Sequence, residues 1–195
     1  SAWLRQAVTG AGGARAAAGL SEPTVRRFAL AEDGARTDPW AAEFLSRPRH
    51  CLRWRDSPLE ELLDEVVQEA RRGRRVLVVC NRVGQAQEIF RRLQEELDGA
   101  VWLLHSRFTR QDRVRREREV LARARQARDG GQGGGVLVAT QVVEVSLDVS
   151  FDVLFTEVAP ADDLVQRLGR VNRYGEAAVP APAVVAARFD QERVR

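Results

Sequence analysis

The chain has 195 residues, 44% hydrophobic and 30% charged, so it can bury a core and is neither disordered nor collagen-like. All 31 basic residues are arginine, against 28 acids for a net charge of +3, and the lack of lysine excludes Schiff-base chemistry or a lysine at a triphosphate within these residues. Cys51 and Cys80 stand outside any Cys-x-x-Cys and read as two small apolar side chains in a reducing compartment. No stretch approaches the about 20 apolar residues of a membrane span and no signal-peptide pattern opens the chain, so a cytoplasmic protein with no membrane partner is expected. Methionine is absent too, which points to a piece of a longer protein.

Residues 1–57 are rich in Ala, Gly and Arg and read as a connector, with a possible edge strand at Val25 to Leu30. The glycines at 10, 12 and 13 do not make a dinucleotide loop, because the third glycine of G-x-G-x-x-G would fall on Arg15. From Leu59 the spacing of Leu62, Leu63, Val66, Val67 and Ala70 predicts a helix buried on one side, opened by Asp-Ser-Pro and stopped at Gly73. Val76 to Cys80 is a continuous apolar run, the pattern of a strand covered on both faces. Ala86, Ile89, Phe90, Leu93 and Leu97 predict the next helix, and Val101 to Leu104 the next strand.

Residues 110–128 read as a highly charged helix with a thin apolar line of Val114, Leu121 and Ala124, followed by a loose glycine loop at 130–135. Strands are expected at Val136 to Ala139, Val153 to Phe155 and Ala183 to Ala187, with a short helix through Leu164, Val165 and Leu168. Strands alternating with helices predict an α/β fold: a parallel sheet flanked by helices on both faces. Domain boundaries are expected at 1–57 for the connector, 58–176 for the α/β domain and 177–195 for the start of a C-terminal extension.

In such a sheet, sites gather beyond the carboxyl ends of the strands, which directs attention to Asn81 and Arg82, His105 to Arg107, Thr140 to Asp148, and Glu157 to Asp163. His105, with only His50 elsewhere, reads as a strand-end hydrogen bonder rather than a metal ligand. On the last helix, Asp163, Gln166, Arg167 and Arg170 share one face and Leu164, Val165 and Leu168 the other. Arg170 and Arg173 are then placed to aim two guanidinium forks at one anion. Gly169, costly inside a helix by about 1 kcal/mol, suggests a close approach there.

These segments carry a resemblance. Gln-Arg-Leu-Gly-Arg-Val-Asn-Arg at 166–173 resembles motif VI of superfamily 2 helicases, and Ala-Thr-Gln-Val-Val-Glu-Val-Ser-Leu-Asp at 139–148 resembles their motif V. Val-Val-Cys-Asn-Arg-Val at 78–83 and Leu-Leu-His-Ser-Arg-Phe at 103–108 resemble motifs IV and IVa. The order is that of the second RecA-like lobe, and the combination is most similar to the CRISPR-associated helicase-nuclease of type I systems over residues 59–176.

The resemblance implies an ATP-dependent DNA helicase or translocase. Arg170 and Arg173 match the arginine fingers, and Gln166 matches the link to the ATP site. Asp148 matches the carboxylate at the ribose hydroxyls, Glu144 a position that couples nucleotide and nucleic acid, and Arg167 a phosphate or interlobe contact. Thr140, Ser106, Arg107, Asn81 and Arg82 match positions on the backbone of single-stranded DNA. ATP with Mg2+ would be held mainly by the first RecA-like lobe, the expected partner in the same parent protein, with a crRNA-guided surveillance complex as a further partner.

No G-x-x-x-x-G-K-[ST] and no His-Asp pair occur in the chain, and Asp64-Glu65 lies on a helix. Alone, therefore, the chain is expected to be inactive in hydrolysis and cutting. Two alternatives stand beside this reading: a lobe of a DNA repair or branch-migration helicase, and a nonmotor nucleic-acid-binding domain.

Overall fold

The computed structural model describes residues 48–128, 134–143, 149–175 and 177–188. The expected strand at 25–30, most of the glycine loop, and Glu144, Ser146 and Asp148 lie outside the described residues. Among the described residues there are six strands: β1 (His50–Arg55), β2 (Arg75–Val79), β3 (Val101–Leu104), β4 (Gly135–Ala139), β5 (Val153–Glu157) and β6 (Ala181–Ala186). They pair in the order β1-β6-β5-β2-β4-β3, every pair parallel. The helices between them are α1 (Leu63–Arg71), α2 (Val83–Glu96), α3 (Arg110–Arg128) and α4 (Ala161–Leu168).

The expected helix over 59–70 divides into a 3-10 turn, Leu59–Leu62, and α1. Pro58, extended at φ −69°, cannot donate a backbone hydrogen bond and so suits the start of that turn. Gly73 closes the helix with φ +80°, a conformation that costs a residue with a Cβ. The strands are buried along both faces because alternate side chains serve two cores. Val76, Val78, Val136, Val138, Val153 and Phe155 meet Leu63, Val66, Ile89 and Leu93 of α1 and α2. Leu77, Val79, Leu137, Ala139 and Leu154 meet Val120 of α3, with Leu168 of α4 packed alongside.

At the amino edge, the carboxylate of Asp152 takes Arg75 Nη2 on Oδ1 at 2.6 Å and Arg75 Nε on Oδ2 at 3.1 Å, a bidentate pair that aligns the starts of β2 and β5.

Three elements differ from the sequence reading. β1 forms within residues read as connector; five of its six residues are exposed, so no apolar period marks it. β6 is the strand expected at 183–187, starting two residues earlier, but it lies inside the sheet between β1 and β5 rather than in an extension. On α3 Val120 is buried, at 6% exposure, and Leu121 packs beside it, while Val114 of the expected apolar line is 38% exposed. The end of the glycine loop is also close-packed: a Cβ on Gly134 would sit 2.7 Å from the Ala70 carbonyl oxygen, and one on Gly135 2.6 Å from the Trp102 ring.

Candidate functional site

The carboxyl ends of β2, β4 and β3, neighbours in the sheet, bring three of the expected segments side by side. Cys80 N donates to Ala139 O at 2.9 Å and Thr140 N to Leu104 O at 3.1 Å, which puts Cys80, Thr140 and His105 in one row. Adjacent strands lie about 4.8 Å apart, so this row is about 10 Å wide. Ser106 and Arg107 are exposed in the turn after β3, and Thr140 is buried at the end of β4. Arg82 is the N-cap of α2; its side chain makes no capping hydrogen bond, so the first amides of α2 also face this edge.

Asn81 is held from every side. Its amide N donates to Glu157 Oε2 at 2.6 Å, its Nδ2 to Val158 O at 2.9 Å, and its Oδ1 accepts from Arg167 Nη2 at 3.0 Å. Glu157 also accepts from Gln85 Nε2 at 3.0 Å. Burial pushes the Cys80 thiol up, with the Glu157 and Glu60 carboxylates adding to it, so Cys80 is a neutral packing group rather than a nucleophile.

His105 is buried and stacks on Phe108, ring centroids 4.0 Å apart, and the Arg116 guanidinium lies 4.3 Å from the other ring partner's centroid at Phe108. Gln87 Nε2 lies 3.2 Å from His105 Nε2. Burial lowers the His105 pKa, and the charges of Arg116 and Arg107 lower it further, against an opposing backbone hydrogen bond. The strand-end role expected for His105 matches this position. Among the described residues no group of three or more His, Cys, Asp or Glu could hold a metal ion.

The arginine segment occupies the opposite edge of the sheet. α4 leaves the carboxyl end of β5 and runs back, so residues 170–173 lie against the residues that precede β5. Phe151 N donates to Arg170 O and Asn172 N to Phe151 O, both at 2.9 Å, and Arg173 N donates to Ser150 Oγ at 3.1 Å. From the start of β1, His50 Nε2 donates to Val171 O at 2.8 Å, and Arg49 Nη2 donates to Asn172 O at 2.8 Å and to Arg173 O. Nothing in the spacing of the sequence signalled these holding roles of Arg49, His50 and Ser150.

Here the expected helix face needs correction. α4 ends at Leu168, and Asn172 takes φ +45°, so Arg170 sits in a turn and Arg173 beyond a left-handed residue rather than on one helical ridge. Gly169 is the C-cap, and the atoms closest to an added Cβ are carbonyls of its own helix, so no neighbouring backbone requires it. Val165 is 66% exposed while Arg167 is fully buried, the reverse of their expected faces. Besides Asn81, Arg167 Nη1 donates to Thr156 Oγ1 at 2.8 Å and to Glu157 O at 3.2 Å. A bare aliphatic side chain cannot satisfy those buried acceptors, which is why the arginine rather than the valine turns inward. Gln166 is exposed, and Arg170 and Arg173 are half-buried.

A parallel sheet with one polar loop row at its carboxyl edge and an anchored arginine turn at its amino edge defines a RecA-like helicase lobe. Residues 72–176, more than half of the chain, match the family CRISPR-associated nuclease/helicase Cas3, C-terminal, and the chain belongs to that family. It is 42% identical over 125 residues to the CRISPR-associated endonuclease/helicase Cas3 of Escherichia coli K12, covering 62% of this chain and 14% of the relative. Its fold is similar to T. fusca Cas3 crystallised with ATP, with a TM-score of 0.62 and 27% identity over 74% of this chain and 19% of the other. A chain of a pre-nicking CRISPR RNA-guided surveillance complex is similar at a TM-score of 0.58 and 27% identity, over 76% of this chain and 20% of the other. The chain thus spans no more than a fifth of each. Of the two helicase families left open by the motifs, the CRISPR one is the family found. No described helix is long and apolar enough to cross a membrane.

Proposed function

We propose that this chain is the second lobe of an ATP-dependent DNA translocase that acts in type I CRISPR interference, joined to a first RecA-like lobe in a longer helicase-nuclease. The observation that carries the reading is the fixed backbone of residues 170–173, pinned from both Phe151 and the start of β1. A group that stabilises charge in a transition state must be held in place beforehand, since reorganisation at the moment of reaction would weaken it.

The donor chemistry here fits a nucleotide. Arg170 and Arg173 belong to one anchored turn and carry planar guanidinium forks that match phosphate oxygens in geometry. ATP, when bound between the lobes, supplies the phosphoryl group whose transfer drives movement. Arg170 and Arg173 offset the charge that develops on it, and Gln166 on the exposed side of α4 links the lobe to that site. Asp148 is assigned to the ribose hydroxyls and Glu144 to coupling between the nucleotide and the DNA. Mg2+ is assigned to the first lobe.

At the other edge, Thr140, Ser106, Arg107 and the Asn81–Arg82 loop hold the phosphate backbone of single-stranded DNA. Contacts of this kind ignore base sequence, which suits a motor that passes over all of them. The T. fusca relative was solved with ATP and another similar chain within a surveillance complex, and both facts support nucleotide use and a crRNA-guided partner here.

Arg170→Ala in the full-length protein tests the reading. DNA-stimulated ATP hydrolysis should fall by about 10³-fold or more, the scale of arginine-finger losses, while a fluorescent ATP analogue still binds. Hydrolysis at the wild-type rate would defeat the assignment. Hydrolysis by the wild type that DNA does not stimulate would favour a nonmotor role.

A further inference from the structure

Arg167 is wholly enclosed, whereas Arg170 and Arg173 are half-buried, and its hydrogen bonds to β5 and to the loop after β2 run away from the nucleotide edge. Its fork reaches three acceptors on two elements: Thr156 and Glu157 at the end of β5, and Asn81 in the loop after β2. Its backbone carbonyl meanwhile accepts from Arg170 N at 3.0 Å. One residue therefore touches the turn that carries the proposed fingers and the loop that carries the proposed DNA contacts.

Asn81 completes the connection. It stands between a buried cation, Arg167, and a buried carboxylate, Glu157, and bonds both. With the Asn81 side chain engaged internally, the loop's grip on a phosphate falls to its backbone and to Arg82. Their placement depends on how Asn81 is held. Lysine in place of Arg167 would keep the charge but lose the planar fork that spans the three acceptors.

We infer that Arg167 is a positioning residue: through Asn81 it fixes the loop after β2 and so sets how tightly the carboxyl edge of the sheet holds single-stranded DNA. This rests on the reading of that edge as a DNA track. It assigns Arg167 to the interior of the lobe, not to the phosphates of the nucleotide.

The experiment measures binding of a fluorescein-labelled oligo(dT) strand to the full-length protein by anisotropy, without nucleotide and over a series of salt concentrations. Arg167→Gln and Asn81→Ala should each raise Kd by about tenfold, and the double variant should be no weaker than the worse single one, as for two residues acting through one link. The slope of log Kd against log salt should stay at the wild-type value, because a buried guanidinium displaces no counterion. A slope reduced by about 0.7 in Arg167→Gln would mean a direct phosphate contact and overturn the proposal. Losses that multiply to about 100-fold in the double variant would overturn it as well.

Should Arg167→Gln fail to fold, Arg167→Lys carries the same expectation, and wild-type affinity in that variant sinks the idea. Thr156→Val removes an acceptor of the same guanidinium on the side away from the loop, so it should lower the melting temperature and leave Kd alone; a Kd raised equally there would show a merely structural role. A wild-type protein that does not bind oligo(dT) defeats the track reading itself, a different outcome from any of these.

Discussion

His105 shows how a single side chain reports its surroundings. It is 3% exposed, packed on Phe108, bonded by Gln87 and faced by Arg107 and Arg116, so a third positive charge there is costly. The folded-state pKa lies below the ordinary value of 6.5, and the unfolded chain therefore binds the proton more readily than the native one. Stability is fully present above pH 6.5 and declines as pH falls through 6.5 toward the lowered value. The expected outcome is a melting temperature that drops between pH 7.5 and pH 5.5 by less in His105→Asn than in the wild type, measured by circular dichroism. An equal drop in both would place the titrating group elsewhere. The pairing of His105 with the strand end was readable from its position after an apolar run. The inward turn of Arg167 was not, because its partners Thr156 and Asn81 are 11 and 86 residues distant in sequence.

At the scale of elements, burial decides which patterns can be read. α1 and α2 bury apolar residues at a helical period and β2 to β5 bury short apolar runs, and their positions follow from those patterns. Leu93, 1% exposed between α2 and the sheet, is a fair probe: Leu93→Ala should cost about 2–5 kcal/mol through lost burial and the cavity left behind, read as a shift in the urea midpoint. The neighbouring Arg92→Ala, on the exposed side, should shift it by less than about 0.5 kcal/mol. β1 defeats the same reasoning, since Leu52 and Trp54 are 45% and 58% exposed and its alternation of apolar and basic residues matches neither core. α4 defeats it differently: its buried side includes Arg167, while Val165 of the apolar stripe is exposed and Leu168 alone of the stripe packs against the core. Motif resemblance directed attention to residues 166–173; it did not reveal that the helix stops before Arg170 or that a left-handed Asn172 precedes Arg173.

For the whole molecule, the polar loop row and the anchored arginine turn lie at opposite ends of the strands, a separation that chain order alone does not reveal. The path of α4 back along the sheet creates it, and the Phe151 to Val171 bridge locks it. The order β1-β6-β5 has a consequence for how the lobe comes into being. β1 spans residues 50–55, yet its partner is β6 at 181–186, so during synthesis the first strand has no neighbour until nearly all of the described chain has left the ribosome. Loop-closure entropy makes such late, distant pairing slow, and an unpaired strand edge is prone to associate with other chains. A chain cut at residue 176, where the family match ends, would lack β6 and leave the flanks of both β1 and β5 bare. Such a chain should be found in the insoluble fraction on expression, whereas one continued to residue 188 should stay in the supernatant. The arginine turn would suffer with it: β1 and the residue before it, which grip Val171, Asn172 and Arg173, are themselves secured by β6. Copies released early would thus carry arginines with no fixed aim, and the turn at 170–173 would gain its hold only once translation has run past Ala186.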